Sequence, residues 1–276
     1  MKVRLAEHAG YCFGVERAVR LALEAAERYG RVHTLGQLIH NPQEVELLRR
    51  EGVVPGEGAD EIDSGVVIIR SHGLPPDVLA DLGDRGLSII DATCPLVRRA
   101  QQLAAEEAAS GARVVIVGDR DHAEVLGLCG HAGDGAVVVE GPDDLPQLPA
   151  DETVAVISQT TQSRENLHAV IERLGETVGD LRVHDTICRA TALRQQAAAA
   201  LAAECDVAVV VGGRNSANTC RLASVCAECC PSTHHIETAD EVRPEWAAEG
   251  GTVCLTAGAS TPDWVIRQVV RRLEEL

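Results

Sequence analysis

One arrangement occurs three times along this chain: a short β-like segment, a loop that ends in a cysteine, and an amphipathic helix. The cysteines are Cys12, Cys94 and Cys188, so that successive copies are 94 − 12 = 82 and 188 − 94 = 94 residues apart. A repeat of this length is long enough for a small α/β domain. We therefore expect an α/β fold with mainly parallel sheets and three similar units. The N-terminal strand can pack either with the first unit or with the third. The expected units are residues 1–93, 94–187 and 188–276.

The composition agrees with such a fold. Of the 276 residues, 45% are hydrophobic but only 2% are aromatic, so Val, Ile, Leu and Ala must form the core. That core suits parallel strands covered on both faces by alanine-rich helices.

The charge and the apolar pattern restrict the partners. A net charge of −17 repels nucleic-acid phosphates and anionic membrane surfaces, and no run of 18 apolar residues occurs. We expect neither a nucleic-acid partner nor a membrane partner. The first residues lack the apolar stretch of a signal peptide, which predicts a cytoplasmic protein.

Several enzyme classes lack the residues that they need. Lys2 is the only lysine, which argues against a Walker-A loop, a Schiff-base enzyme and a lysine-activated serine. The patterns GxGxxG after a strand, GxSxG and HExxH are also absent, so nicotinamide, serine-hydrolase and zincin functions lose their usual support.

The three repeated cysteines differ in context from the other seven. In a reducing cytoplasm, thiols, metal ligands or core filling are the expected roles, rather than a disulfide framework. A cysteine at a helix N-terminus lies near free N–H groups and the positive end of the helix dipole, which favours the thiolate. Pro95, which suits the first position of a helix, supports this placement for Cys94.

A second set of polar residues follows other β-like segments. In parallel sheets, ligands bind outside the carboxyl ends of strands, and three units facing one another would bring these side chains to one crevice. The set comprises His40 after the short segment Leu38–Ile39, together with His72, His122, Glu124, Thr160, Ser216, Asn218 and Ser260.

These residue types limit the chemistry. Three thiolates can hold a zinc ion with an open position, or an iron-sulfur cluster. A 4Fe-4S cluster with three cysteine ligands leaves one iron free to act as a Lewis acid. The histidines, hydroxyls and amide supply donors for an anion such as diphosphate, and Glu124 is the obvious proton carrier.

At these residues the chain resembles the 4-hydroxy-3-methylbut-2-enyl diphosphate reductase family of the non-mevalonate isoprenoid pathway. The similarity extends from Arg4 to the C-terminal helix. The segments that carry it are Cys12-Phe13-Gly14-Val15, Ile39-His40-Asn41-Pro42, Ser71-His72-Gly73, Asp91-Ala92-Thr93-Cys94-Pro95, Gln159-Thr160-Thr161 and Thr256-Ala257-Gly258-Ala259-Ser260.

The resemblance implies a trefoil of three α/β domains around a 4Fe-4S cluster. It implies that Cys12, Cys94 and Cys188 hold the cluster and leave one iron for the substrate hydroxyl. Thr160 would orient that hydroxyl and Glu124 would lead the proton relay. The electrons would come from an external donor such as ferredoxin or flavodoxin. The implied contacts to the substrate diphosphate are His40, His72, His122, Ser216, the position of Ala217, Asn218 and Ser260.

Four positions depart from the family pattern. Asp121 and Ala123 flank His122 where the family usually has glycine and proline. Ala217 replaces a serine and Cys220 replaces an asparagine. A divergent paralogue that acts on another allylic diphosphate is therefore an alternative.

A second alternative is a metal-stabilised redox-sensing or binding module. Cys226, Cys229 and Cys230 precede His234 and His235, a pattern that resembles half of a zinc knuckle. The same three cysteines lie at i, i+3 and i+4, so the spacing also predicts that they pack on one inner face of a helix.

Overall fold

The computed structural model describes residues 2–56, 58–62, 65–246 and 251–276. Strands β1 to β12 are Lys2–Leu5, Val32–Leu35, Val53–Gly56, Val66–Ile69, Ser88–Asp91, Arg113–Val117, Val137–Val139, Thr153–Ser158, Asp180–His184, Val207–Val211, Thr233–Ile236 and Thr252–Ala257. Helices α1 to α9 are Phe13–Tyr29, Pro42–Arg50, Pro76–Asp84, Pro95–Ala109, Ala123–Ala132, Arg164–Gly175, Arg189–Ala202, Ala217–Cys229 and Asp263–Glu274.

The described strands form three four-stranded sheets, and every pairing among them is parallel. The strand orders are β3-β2-β4-β5, β7-β6-β8-β9 and β11-β10-β12-β1. All three sheets thus have the same topology, and the N-terminal strand takes the fourth place in the third sheet. The expectation of an α/β fold with three parallel-sheet units is confirmed.

The chain divides into two compact units. The first contains the sheet with β1 and comprises Met1–Glu16, Ile39–Leu47 and Arg189–Leu276. The second contains the other two sheets and comprises Arg17–Leu38 and Leu48–Cys188. The division at residues 93 and 187 stays a prediction.

The central strands β10 and β6 are covered on both faces, as the composition predicts. In the first unit, Val207, Val209 and Val211 pack with Val265 of α9 on one face of the sheet. On the other face, Ala208, Val210 and Cys254 pack with Ala198 of α7 and Leu222 of α8. In the second unit, the strand β6 packs in the same way, with α6 on one face and α4 and α5 on the other.

The segment before His40 is not a strand. The structure places the strand earlier, at Val32–Leu35, and Leu38 and Ile39 are buried in a non-strand segment. Gly36 ends the strand with φ 68, a left-handed conformation that glycine adopts without the Cβ penalty. The expectation of a strand at Leu38–Ile39 was wrong because burial there comes from packing of the connection.

Within the described ranges, none of the helices is both long enough and apolar enough to span a bilayer.

Candidate active site

The three repeated cysteines occupy equivalent places in the fold. Each follows the fourth strand of a sheet and immediately precedes a helix: Cys12 lies before α1, Cys94 before α4 and Cys188 before α7. Cys94 is the N-cap residue of α4, and Pro95 is the first residue of that helix, as expected.

The backbone of each cysteine is held in the same way. Its N–H donates to the carbonyl of the residue two positions after the end of the neighbouring strand. The three hydrogen bonds join Cys12 to Ala259 (3.2 Å), Cys94 to Ser71 (2.9 Å) and Cys188 to Thr160 (2.9 Å). The equivalence predicted from three segments of sequence therefore extends to an equivalent attachment of each cysteine to its sheet.

All three cysteines are reduced and half-buried. A thiol directly before the first residue of a helix lies near the positive end of the helix dipole, which favours the thiolate form. Thiolate ligands are what an iron-sulfur cluster requires, and three of them suit a cluster with one iron left for another ligand. The donor set therefore fits such a cluster.

Two of these cysteine loops contain a feature that the sequence interpretation missed. Asp91 Oδ1 accepts a hydrogen bond from Thr93 N (2.8 Å), and Asp185 Oδ1 accepts one from Ile187 N (3.1 Å). Each aspartate lies three residues before its cysteine and thereby holds the loop as a compact turn. The shared D-x-x-C spacing was the available signal.

Glu124 is a buried carboxyl in the first turn of α5. Only 1% of the residue is exposed. Its Oε1 accepts a hydrogen bond from Thr160 N (2.6 Å), and its Oε2 accepts one from the Thr160 hydroxyl (2.8 Å). The structure thus brings together Glu124 and Thr160, the two residues to which the family resemblance assigns catalytic roles.

Burial changes the acidity of this carboxyl. Loss of solvation raises the pKa of Glu124 from 4.5 to about 7, while the two hydrogen bonds from Thr160 oppose this rise. The charge of Asp119 adds a smaller upward contribution to this pKa. A carboxyl with a pKa near 7 can both donate and recover a proton at neutral pH.

His122 lies next to this carboxyl in the fold. It is the N-cap residue of α5, and its Nδ1 accepts a hydrogen bond from Glu124 N (3.1 Å). In the neutral ring the proton is then on Nε2, which can donate to a ligand. The His72 ring meets His122 edge to face, with ring centroids 5.3 Å apart.

In the first unit, the N-terminus of α8 carries two of the expected binding residues. Ser216 is the N-cap residue, and its Oγ accepts a hydrogen bond from Thr219 N (3.4 Å). Asn218 is 5% exposed, and neither its Oδ1 nor its Nδ2 has a hydrogen-bond partner among the described residues. A buried amide in this state carries a free-energy cost that a polar ligand would remove.

His40 and Ser260 are also brought together in this unit. The Ser260 hydroxyl donates to the His40 carbonyl (3.0 Å). Gly213 also packs against this carbonyl, because a Cβ added to Gly213 would be only 2.6 Å from the His40 carbonyl oxygen. The strand ends that carry Gly213 and Ser260 therefore fix the backbone at His40.

The four departures lie at or beside helix N-termini. Asp121 is exposed and Ala123 is the first residue of α5. Ala217 is the first residue of α8 and offers no side-chain donor. Cys220, in the same turn, is exposed and its thiol donates to the Arg214 carbonyl (3.1 Å).

The zinc-knuckle alternative loses support. Cys226 and Cys230 are buried in the core with Leu222, whereas Cys229 is exposed, so the expectation that all three share an inner face was wrong for Cys229. Helix α8 ends at Cys229, so Cys230 lies outside the helix, where its side chain is buried in the core.

The two histidines after this helix have other contacts. The His234 ring stacks on Trp246 with centroids 4.2 Å apart, and His235 Nε2 lies 2.9 Å from the Gly212 carbonyl. Burial raises the pKa of the Cys226 thiol to about 12, so the thiol is protonated in the core.

The structure defines a class of protein: a parallel α/β protein with a repeated cysteine site. It has three parallel sheets, three equivalent half-buried cysteines and a buried carboxyl whose pKa is near neutral. The chain belongs to the LytB protein family, whose model matches residues 3–274.

Named relatives cover the whole chain. The 4-hydroxy-3-methylbut-2-enyl diphosphate reductase of Pelobacter propionicus is 48% identical over 100% of this chain and 99% of its own length. That of Aquifex aeolicus is 45% identical over 99% of this chain and 96% of its own length.

Solved structures also match. A structure of (E)-4-hydroxy-3-methyl-but-2-enyl diphosphate reductase, 44% identical, covers 100% of both chains with a TM-score of 0.74. The Plasmodium falciparum E-1-hydroxy-2-methyl-but-2-enyl-4-diphosphate reductase is 24% identical and covers 98% of this chain and 87% of its own. Its TM-score of 0.94 shows the shared fold.

Proposed function

We propose that this chain is a reductase that converts 4-hydroxy-3-methylbut-2-enyl diphosphate to isopentenyl and dimethylallyl diphosphates. Two electrons and two protons replace the allylic C–O bond by a C–H bond, and the oxygen leaves as water. Membership of the LytB family and full-length relatives named as this reductase support the proposal. The observation that carries it is the equivalent backbone attachment of the three cysteines.

Cys12, Cys94 and Cys188 would hold one 4Fe-4S cluster, with one iron not bound by cysteine. The cluster, when bound, supplies the electrons and a Lewis acid for the substrate oxygen. Their reduced, half-buried thiols at the starts of three helices support this assignment.

Glu124 would provide the proton that leaves with the substrate oxygen. Burial keeps part of this carboxyl protonated at neutral pH, since its pKa is about 7. The Thr160 hydroxyl, 2.8 Å from Oε2, would orient the substrate hydroxyl and join it to Glu124. Proton transfer then requires no long movement of either side chain.

The remaining polar residues would bind the diphosphate. Neutral His122 would donate from Nε2 because its Nδ1 is already occupied by Glu124 N–H. Asn218 would donate from its unpartnered amide, and Ser216 from its N-cap hydroxyl. We assign His40, His72 and Ser260 to the same role. Ala217 would contribute only through its backbone.

The source of the electrons would be a separate carrier. The sequence contains no flavin or nicotinamide pattern, so we propose an external ferredoxin or flavodoxin. The cytoplasmic location and the boundaries of three domains also stay predictions.

The second candidate is a divergent paralogue that acts on another allylic diphosphate. The presence of alanine rather than serine at position 217 favours it. A serine hydroxyl is missing at the first residue of α8, beside the unpartnered Asn218 amide. Ala217→Ser should then lower the KM for 4-hydroxy-3-methylbut-2-enyl diphosphate if the chain has that substrate.

The cluster assignment is tested with Cys94→Ser, and Cys229→Ser is the matched control because this cysteine is exposed. Anaerobically purified Cys94→Ser should lose the visible absorption of the cluster and its turnover, whereas Cys229→Ser should keep both. A full 4Fe-4S spectrum and about four irons per chain in Cys94→Ser would refute the assignment.

A further inference from the structure

Arg194 is the largest of the fully buried side chains in the described ranges, with 2% of the residue exposed. It lies on α7, the helix that begins directly after Cys188. Burial of a guanidinium is unfavourable compared with burial of an apolar side chain of similar volume. A specific set of contacts must therefore explain why the charge is here.

The guanidinium of Arg194 connects two backbone segments. Its Nη1 donates to the His8 carbonyl and to the Ala257 carbonyl, the latter at 3.0 Å. His8 lies in the loop between β1 and Cys12, and Ala257 is the last residue of β12. Arg194 thus joins the loop that carries Cys12 to the strand that accepts this loop's hydrogen bonds.

The Cys12 loop has a particular need for such support. Six residues separate β1 from Cys12 (residues 6–11), whereas two separate β5 from Cys94 and three separate β9 from Cys188. A longer loop loses more conformational entropy when it is fixed. The loop also contains His8 with φ 62, the one non-glycine left-handed residue in the described ranges.

The Cys12 loop also lacks the aspartate turn of the other two. Asp91 and Asp185 stand three residues before their cysteines and accept an amide N–H within the loop. The same position before Cys12 is Ala9, whose side chain cannot accept a hydrogen bond. The Cys12 amide correspondingly makes the longest of the three equivalent hydrogen bonds, 3.2 Å against 2.9 Å.

We propose that Arg194 is a positioning residue that fixes the Cys12 loop, in place of the aspartate turn that fixes the loops of Cys94 and Cys188. The role in cluster binding rests on the proposed function. The role in loop order does not, because the contacts of Arg194 are made within the protein. Arg194 holds the His8 carbonyl inward, and the chain from His8 to Cys12 then follows the end of β12.

The test is hydrogen exchange, read by mass spectrometry, on anaerobically purified protein and on Arg194→Met. Because a hydrogen-bonded cation is lost, exchange in residues 8–12 should accelerate roughly tenfold to a hundredfold. Exchange at residues 92–94 and 186–188 should not change. The control is Arg267→Met, an exposed arginine of α9 whose loss should change none of these segments.

A second variant keeps the test decisive if Arg194→Met does not fold. Arg194→Lys retains the charge and one donor nitrogen, so the acceleration of exchange should be smaller than in Arg194→Met and confined to residues 8–12. Unchanged exchange at residues 8–12, or equal acceleration in β10 and β12, would overturn the proposal. The rate of iron loss to a chelator is the second readout, and it should rise in Arg194→Met. A chain without a cluster would fail this second readout alone, which separates a failed function from a failed loop assignment.

Discussion

Glu124 should control the pH dependence of the reaction. Its pKa is raised from 4.5 to about 7 by burial, so about nine-tenths of the carboxyl is protonated at pH 6 and about one-tenth at pH 8. If the protonated form is the donor, kcat/KM should fall as pH rises through 7, by about tenfold per unit above pH 8. The quantity kcat/KM is appropriate because it reports the groups of the free enzyme.

Glu124→Gln should abolish this dependence. The glutamine oxygen can still accept from Thr160 N, and its amide can donate to the Thr160 hydroxyl, so the local geometry has a replacement for both hydrogen bonds. Turnover should fall about a hundredfold to ten-thousandfold, the usual cost of a lost general acid. The 4Fe-4S absorption should remain, since no cysteine is changed.

Thr160→Val tests the direction of the pKa shift. The Thr160 hydroxyl lowers the pKa of Glu124 by stabilising the carboxylate. Loss of one hydrogen bond to a charged group, about 1.5 kcal/mol, should raise that pKa by about one unit. The falling limb of kcat/KM should then move to higher pH, whereas Thr160→Ser should leave it in place.

The assay is anaerobic turnover with a chemical reductant between pH 6 and pH 9, with Glu124→Gln as the control for titration of the substrate. Three results would refute the reasoning: a flat profile in the parent protein, an identical falling limb in Glu124→Gln, or a shift to lower pH in Thr160→Val.

Three further predictions concern the stability conferred by Glu124 and two other parts of the chain. Glu124→Gln should remove part of the pH dependence of the free energy of unfolding. A carboxyl whose pKa is raised by folding stabilises the fold below pH 4.5 and loses that contribution as pH rises through 7. In urea unfolding, the difference in this free energy between parent and variant should change by about 3 kcal/mol over this range, and no change would contradict the burial argument. Gly213→Ala should raise KM several-fold with the cluster retained, because the new Cβ would lie 2.6 Å from the His40 carbonyl oxygen. Gly175→Ala is the control, since nothing lies within 4 Å of its Cβ position, and it should leave KM unchanged. Equal KM values for the two variants would remove Gly213 from the site. The triple variant of Cys226, Cys229 and Cys230 to alanine should keep iron and activity and lose about 1 kcal/mol or less per buried thiol; stoichiometric zinc in the parent that is lost with solubility in the variant would favour the metal-stabilised module.

Fully buried strands were predictable because each consists of consecutive apolar residues. Val66–Ile69 and Val207–Val211 were expected with the bounds that the structure gives. The segments Val53–Gly56, Val137–Val139 and Thr233–Ile236 were not recognised, because these edge strands are buried only in part. Their pairing with a central strand is what makes them strands, and this pairing is invisible in a short local segment.

The candidate site shows the same limit. The local pattern identified Cys12, Cys94 and Cys188 because each loop, cysteine and helix is contiguous in sequence. The hydrogen bonds between Glu124 and Thr160 join residues 36 positions apart, so their geometry and the resulting pKa required the fold. Nothing in the sequence distinguished Arg194, since an arginine in an alanine-rich helix is expected to be exposed.

The central claim is tested most directly by the products that the protein forms. Reconstituted protein with a full 4Fe-4S cluster is incubated anaerobically with 4-hydroxy-3-methylbut-2-enyl diphosphate and a chemical reductant. The products are then separated and quantified. We expect both isopentenyl and dimethylallyl diphosphates, in a total amount equal to the substrate consumed. Unchanged substrate, in an assay in which the Aquifex aeolicus relative turns over, would contradict the account.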